Sequence, residues 1–256
     1  MKTMNHLLGF GVAMVLALAG ATQAQAAGDL SGVWVVSGGG GGGSSAFRNN
    51  PESEWSTGKL PFTAQGRAAF DANKPGKGPR LLNNPQLRND PLILGNPPGL
   101  YRTLIYSRPM EFIQTPDRIV QVFEWSRVWR PIYVDGRPVP KDVPAGPYWY
   151  GHSVGRWEGD TLVVNTMALD SRAWFDEWGT PISDQARIEE RWQRIAPDTL
   201  QLKITVTDPA MYTKPWTSMP INMRLQKKGV ELQEIIHAPI DEAAFNDTIA
   251  HPAGGG

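Results

Sequence analysis

Charged side chains recur among apolar ones along several predicted strands of this chain, and a carboxylate in such a place can do acid–base chemistry. The clearest case is the stretch from Arg187 to Arg194. Every second residue of a strand faces the same side, so Ile188, Glu190 and Trp192 form one largely apolar face. Burying a charge is costly unless the charge is paired or used. Glu190 is therefore a candidate general acid or base.

The same alternation selects four more polar side chains on apolar strand faces: Glu124, Arg130, His152 and Glu234. A buried glutamate beside a buried arginine can transfer a proton, with a pKa set by desolvation and by the arginine. Such a pair can equally be a satisfied ion pair that fixes strand register. We predict Glu190, Glu234 and His152 as catalytic residues and Arg130 and Glu124 as ligand-binding residues, with the structural alternative open for each.

Further candidates lie on loops and in aromatic segments. Tyr212 is predicted to be catalytic, as a proton donor at the mouth of the fold, and Lys214 to attract an anionic group. The alternative is that Tyr212 packs on Trp216 while Asp208 caps the turn. The aromatic segment at residues 171–185 either covers a pocket or fills the core. The remaining ligand-binding candidates are Arg127, Trp174 and Trp192.

The elements that must hold these side chains are short strands separated by turn residues. The predicted strands span residues 100–106, 110–114, 118–124, 127–134, 152–157, 161–167, 187–194, 199–207, 221–226 and 231–236. Consecutive hairpins indicate an antiparallel meander, and closure of the sheet removes exposed edges. We therefore predict an all-β fold, a lipocalin-like β-barrel with long Pro/Gly-rich loops. Residues 60–70 are predicted to form a small helix capped by Thr63.

The amino terminus predicts export. Residues 1–26 combine a positive start at Lys2, a short apolar stretch and a small-residue cleavage site, as secretory signal peptides do. The mature chain is then periplasmic or secreted, with no stable membrane anchor. Residues 27–60 are predicted to be a flexible Gly/Ser-rich segment, residues 61–240 a single barrel domain, and residues 241–256 a tail.

Composition narrows the partners. The formal net charge is 0 and the basic residues are scattered, so no concentrated surface for nucleic acid is expected. The chain has no cysteine, which excludes disulfides, thiol nucleophiles and cysteine-ligated metals. No metal site and no cofactor are predicted, because the histidines are far apart in the pattern. The ten tryptophans suit a small apolar or aromatic partner, while the oligomeric state stays open.

Four stretches, residues 155–164 (GRWEGDTLVV), 123–130 (FEWSRVWR), 190–194 (ERWQR) and 207–216 (TDPAMYTKPW), carry a family resemblance. Together they resemble a large family of exported bacterial proteins, most of which have no assigned function. The resemblance spans roughly residues 29–236. It implies export and a shared fold.

A second likeness is to the lipocalin-like, or calycin, barrels. Gly32, Val33 and Trp34 match the Gly-x-Trp opening of those proteins, and Arg224 on a late strand is the candidate arginine that packs over that tryptophan. The likeness implies a barrel that binds a small apolar or aromatic molecule. Some members of that wider group are cofactor-free enzymes that cyclise, decarboxylate or isomerise such molecules.

Two functions follow from these observations. The first is a cofactor-independent lyase or isomerase that acts on an aromatic or terpenoid-like molecule by Glu/Arg/His acid–base chemistry. The second is a non-catalytic exported binding protein for a small apolar or aromatic ligand. Convergence of the inward polar side chains on one ligand-sized cavity favours the enzyme, and separate pairing within the wall favours the binding protein. A wall-associated structural protein, the third class, predicts no cavity.

Overall fold

The computed structural model describes residues 28–37, 60–78, 80–143 and 146–235. The predicted signal sequence, the glycine run at residues 38–43 and the predicted tail lie outside the described residues, as does His237. Ten strands and two α-helices form in the described ranges, which makes the fold all-β as predicted. The helices are α1 (Ala64–Ala72) and α2 (Leu100–Ile105). The strands are β1 (Gly32–Val36), β2 (Met110–Gln114), β3 (Arg118–Phe123), β4 (Trp129–Tyr133), β5 (His152–Glu158), β6 (Thr161–Met167), β7 (Arg187–Ala196), β8 (Thr199–Thr207), β9 (Trp216–Thr217) and β10 (Ile221–Leu225).

Strands β1 to β8 and β10 close into a barrel. Neighbours in sequence pair from β1 to β8, and β10 completes the circle because it pairs with both β1 and β8. The short strand β9 pairs with the far half of β8. The predicted closed β-barrel is confirmed. Because β1 is one of its strands, the barrel begins before the predicted domain boundary at residue 61.

One strand pair departs from the predicted antiparallel meander. Strand β4 runs parallel to β5, with Ile132 opposite Ser153, whereas all the other named pairs are antiparallel. The reason lies in the connection at residues 134–151. A tight turn can join only antiparallel strands, and a long crossover allows the chain to re-enter in the same direction.

The barrel interior is filled by alternate residues of each strand. On β7 these are Ile188, Glu190 and Trp192, as the sequence alternation predicted. The Trp192 ring meets the Phe112 ring edge to face at 5.0 Å between centroids, and Trp34 is fully buried in the same cluster. The apolar face of each strand is therefore the inside of the barrel.

Two predicted strands are wrong. Residues 100–106 contain the helix α2, and all six residues of that helix are buried. A short apolar run fits a buried helix as well as a buried strand, so periodicity could not separate them. Residues 231–235 form no strand and make only a single bridge, between Ile235 and Trp125.

The helix predicted at residues 60–70 is confirmed as α1. The Thr63 hydroxyl accepts a hydrogen bond from the Gly66 amide at 2.9 Å, which is the predicted cap. Gly66 also lets the helix approach the chain at Met211, because a Cβ at this position would lie 2.0 Å from the Met211 carbonyl oxygen. In the described ranges no helix has the length and apolar character needed to cross a membrane.

The aromatic segment at residues 171–185 fills the core. Phe175 stacks on Tyr101 of α2 at 4.9 Å between ring centroids and meets Trp216 edge to face at 5.5 Å. Trp174 and Trp178 are buried as well. Of the two alternatives for this segment, the packing matches the hydrophobic plug.

Trp34 is covered by a different arginine from the one predicted. The guanidinium carbon of Arg194 lies 5.3 Å from the Trp34 ring centroid. Arg224 instead projects outward from β10 and pairs with Asp198 at 2.5 Å. Its inward neighbour on β10 is Met223, which is fully buried, so strand alternation directs Arg224 away from the tryptophan.

Candidate functional site

Glu190 and Arg130 meet inside the barrel. Arg130 Nη1 donates to Glu190 Oε1 at 3.0 Å, and Arg130 Nη2 donates to Oε2 at 2.6 Å. The two residues are 0% and 1% exposed. The inward direction predicted for both side chains is confirmed. A planar guanidinium that faces both carboxylate oxygens gives the strongest kind of protein ion pair.

Every oxygen of this carboxylate has further donors. Tyr101 Oη donates to Glu190 Oε1 at 3.0 Å, and Trp192 Nε1 donates to Oε2 at 2.9 Å. Burial, followed by the charge on Glu190, raises the pKa of Tyr101 well above its usual value. The phenol therefore stays protonated and remains a donor. With these groups around it, Glu190 is satisfied within the wall of the barrel.

The arginine end of the network is also satisfied. Arg130 Nε donates to Gln121 Oε1 at 2.7 Å, and Nη1 donates to Ser153 Oγ at 3.3 Å. The Gln121 amide in turn lies 3.0 Å from Met110 Sδ. Buried polar groups that are fully paired rigidify a core and fix strand register. The geometry of this network is that of a structural ion pair.

His152 and Glu124 do not point into the interior as predicted. On β5 the inward residue is Ser153, so His152 faces outward and stacks on Tyr133 at 5.6 Å between centroids. Burial, followed by the positive charge of Arg137, lowers the pKa of His152. Glu124 comes directly after β3 and lies on the outer face of that strand. It is buried there, and its carboxylate accepts a hydrogen bond from the backbone amide of Gln233 at 3.0 Å.

Three other predicted site residues are exposed. Glu234 lies outside any strand, so the inward direction predicted for it is wrong. Arg127 follows β3, and its side chain donates long hydrogen bonds, of 3.4 Å, to the carbonyl oxygens of residues 232 and 233. Lys214 is exposed on the loop before β9. The structure brings none of these three to the Glu190 network.

Tyr212 and Trp174 are buried packing residues. Tyr212 Oη donates to the Pro181 carbonyl at 2.8 Å, and its ring meets Trp216 at 5.6 Å between centroids. The Asp208 carboxylate accepts from the amides of residues 210 and 211, which is the predicted turn cap. The anchoring alternative for Tyr212 is therefore confirmed in its contacts. Trp174 is bridged to Pro181 within the same plug.

A cavity of about 260 Å³ lies outside the barrel interior, and we call it the outer pocket. Residues 76–77 and 88–93 form one side of it. Arg102 and Tyr106, at α2 and its end, form a second side, and Trp125 and Glu177 complete the lining. None of the predicted site residues lines it.

The apolar wall of the outer pocket is a pair of aromatic rings. Tyr106 and Trp125 stack at 4.2 Å between centroids. Trp125 is held by the turn after β3, in which Ser126 and Arg127 have φ angles of 65° and 49°. Positive φ is uncommon for residues other than glycine, and such strained positions gather at functional sites. The turn fixes an aromatic side chain at the pocket wall.

The polar wall of the outer pocket contains two ion pairs and the side chain of Arg88. Arg102 Nη1 and Nη2 donate to the two oxygens of Asp90 at 2.7 and 2.8 Å. Lys77 Nζ lies 3.2 Å from Glu177 Oε2 and 5.8 Å from the Tyr106 ring centroid. An apolar face beside a few placed polar groups is the usual composition of a small-molecule site.

Sequence reasoning missed this pocket for an identifiable reason. Arg102 and Tyr106 are four residues apart, which puts them on one face of a helix. Because residues 100–106 were predicted to be a strand, this helical spacing was not considered. A helical interpretation of the same stretch would have paired an arginine with an aromatic ring.

In the described part of the chain, no three His, Asp or Glu side chains are grouped so that they could hold a metal ion. Comparisons with protein-family models, with curated proteins and with solved structures found no match. The resemblance to exported bacterial proteins therefore stays a prediction.

Proposed function

We propose that this protein is an exported binding protein that holds a small aromatic molecule in the outer pocket without transforming it. The observation that carries the proposal is the stacked pair Tyr106 and Trp125 on the wall of a cavity of about 260 Å³. Aromatic rings offer a flat ligand a large contact area and favourable stacking. Pockets that hold drug-sized ligands measure roughly 300–1,000 Å³, so the outer pocket suits a smaller molecule.

The binding alternative is favoured over the lyase or isomerase by the state of the charged groups. A general acid or base must reach the substrate. Glu190 and Arg130 are instead buried, paired with each other and surrounded by Tyr101, Trp192 and Gln121. The other predicted catalytic residues, Glu234, His152 and Tyr212, do not join them. The acidic groups of the outer pocket, Asp90 and Glu177, are likewise engaged in ion pairs, which suits orientation of a ligand more than proton transfer.

The test is a calorimetric titration of the purified protein with a panel of single-ring and two-ring aromatic compounds, acidic and neutral, run beside aliphatic compounds of equal size. We expect saturable 1:1 binding of aromatic members. The variant Trp125→Leu should weaken binding about two- to tenfold, because stacking on an aromatic side chain contributes roughly 0.5–1.5 kcal/mol beyond area burial.

Trp129→Leu is the matched control. Trp129 lies on the neighbouring strand β4, is 61% exposed and does not line the outer pocket. Its replacement should leave affinity unchanged. Far-ultraviolet circular dichroism and a denaturant midpoint check that both variants are folded. Absence of binding across the panel would overturn the proposal, and product formation from a bound member would favour the lyase or isomerase instead.

A further inference from the structure

The charges at the outer pocket do not balance. Three cationic side chains line it, Lys77, Arg88 and Arg102, against two acidic ones, Asp90 and Glu177. Arg102 is paired with Asp90, and Lys77 with Glu177. Arg88 forms no ion pair with a carboxylate in the ranges that the structure describes. Its Nε donates to the Leu82 carbonyl at 2.9 Å, which holds the guanidinium in place at the pocket. One positive charge is left over.

Arg102 has a hydrogen-bond donor that its acidic partner leaves unused. Asp90 takes the two Nη groups, and Arg102 Nε is buried with no partner among the described residues. The Arg102 side chain is only 8% exposed. An unpaired buried donor is costly, and the cost is larger for a charged group. This nitrogen is covered by protein atoms, so Arg102 contributes to the pocket through its ion pair with Asp90, and the cation that is left for a ligand is Arg88.

The size of the pocket limits the rest of the ligand. An apolar cavity of about 150 Å³ holds benzene. The outer pocket, at about 260 Å³, has room for one ring and a short polar substituent. Tyr106 and Trp125 provide the surface for the ring, and the two arginines lie on the lining with the polar groups.

We infer that the ligand is a single-ring aromatic acid, whose ring packs on Tyr106 and Trp125 and whose carboxylate accepts hydrogen bonds from the Arg88 guanidinium. The inference rests on the proposed function and adds the chemical class to it. Arginine is suited to this task because its planar donors match the geometry of a carboxylate. A single carboxylate also neutralises the one unpaired positive charge.

The experiment compares acids with their neutral amides: benzoate with benzamide, phenylacetate with phenylacetamide, and cinnamate with cinnamamide, each titrated into the wild-type protein by calorimetry. We expect at least one acid to bind about tenfold or more tightly than its amide, since hydrogen bonds to a charged group are roughly twice as strong as neutral ones. Added salt should weaken the acid and leave the amide unaffected.

Arg88→Gln is the informative variant, because Arg88 has no carboxylate partner among the described residues whose pairing would be lost. We expect it to weaken the acid about tenfold, or roughly 1.4 kcal/mol, and to leave the amide unchanged. Arg137→Gln is the control: Arg137 is an exposed arginine paired with Asp135 and does not line the pocket. It should change neither affinity.

The outcomes separate the two proposals. Equal affinity for acid and amide, with no effect of Arg88→Gln, would overturn the aromatic-acid inference and leave the proposed binding function standing. Binding of neither acids nor amides, nor of any other aromatic compound in the panel, would overturn both. Acid binding that is lost in Arg88→Gln but kept in Trp125→Leu would support an anion site and contradict the aromatic wall.

Discussion

Arg130 and Glu190 face each other across the barrel interior and share two hydrogen bonds, of 3.0 and 2.6 Å, although β4 and β7 are not adjacent strands. The pair therefore ties distant parts of the barrel wall together. Around it, Tyr101 links helix α2 to the same carboxylate. We expect an ion pair in this position to help fix which strands face each other, and its removal tests whether Glu190 is structural.

Replacing Glu190 with Gln should destabilise the protein strongly and leave the outer pocket able to bind. Breaking one side of a buried ion pair costs about 3–5 kcal/mol, because the remaining charge, here on Arg130, stays buried without compensation. Urea unfolding measures the change. Glu158→Gln, which removes an exposed carboxylate paired with Arg156 and Arg191, should change stability little. Unchanged stability in Glu190→Gln would contradict the structural role.

Gly66→Ala in α1 should reverse the usual effect of this substitution. In an ordinary helix interior, alanine is favoured over glycine by about 1 kcal/mol. Here the added Cβ would lie 2.0 Å from the Met211 carbonyl oxygen, so α1 must move away from the turn that it packs on. Forced shifts of this kind cost roughly 1–3 kcal/mol. We expect a net loss of stability in chemical denaturation.

Gln65→Ala is the control for the helix. Gln65 is the exposed neighbour of Gly66, and its replacement should leave stability the same or slightly higher. A gain in Gly66→Ala comparable to that of an unhindered helix site would contradict the close approach to Met211.

Ser126→Gly should stabilise the protein by about 0.5–1 kcal/mol. A positive φ costs a residue other than glycine roughly 1–2 kcal/mol, and glycine removes that cost. Part of the gain is offset because glycine has greater entropy in the unfolded chain. The Ser126 φ is 65°, and its buried hydroxyl has no hydrogen-bond partner among the described residues. Differential scanning calorimetry measures the shift in Tm. Ser171→Gly, at an exposed position without positive φ, should lower Tm instead. A lower Tm in both variants would contradict the strained turn.

Sequence alternation predicted the barrel interior because strands obey a period of two residues wherever one face is buried. It placed Glu190, Trp192 and Arg130 correctly for that reason. It failed at His152, where the strand begins after a parallel crossover, and at Glu234, where an alternating pattern lies in a segment that forms no strand. Alternation tells which residues would share a strand face, but it does not tell whether the segment pairs with another strand.

Apart from the Arg102 and Tyr106 spacing, the residues of the outer pocket could not be grouped from the sequence. Its polar wall comes largely from residues 76–77 and 88–93, whose sequence has no periodic pattern, and from contacts such as Arg102 with Asp90 that only tertiary folding creates. Short-range rules give turn types and caps, including Thr63, but not which loop meets which helix.

The buried tyrosines should ionise only at unusually high pH, and the stability of the protein should fall there. Burial raises the pKa of Tyr101 and of Tyr212 well above the ordinary value, and it raises that of Tyr150 to about 12. The folded protein keeps these protons while the unfolded chain releases them near pH 10. The contribution of the three phenols to the free energy of unfolding is therefore present in full below about pH 10 and is lost as pH rises through the folded-state values.

Absorbance titration of tyrosinate, with urea unfolding at each pH, measures both effects. Tyr101→Phe should remove one late-ionising phenol and reduce the slope of stability against pH. Ionisation of all the tyrosines near pH 10 in the folded protein would contradict a buried Tyr101 hydrogen-bonded to Glu190.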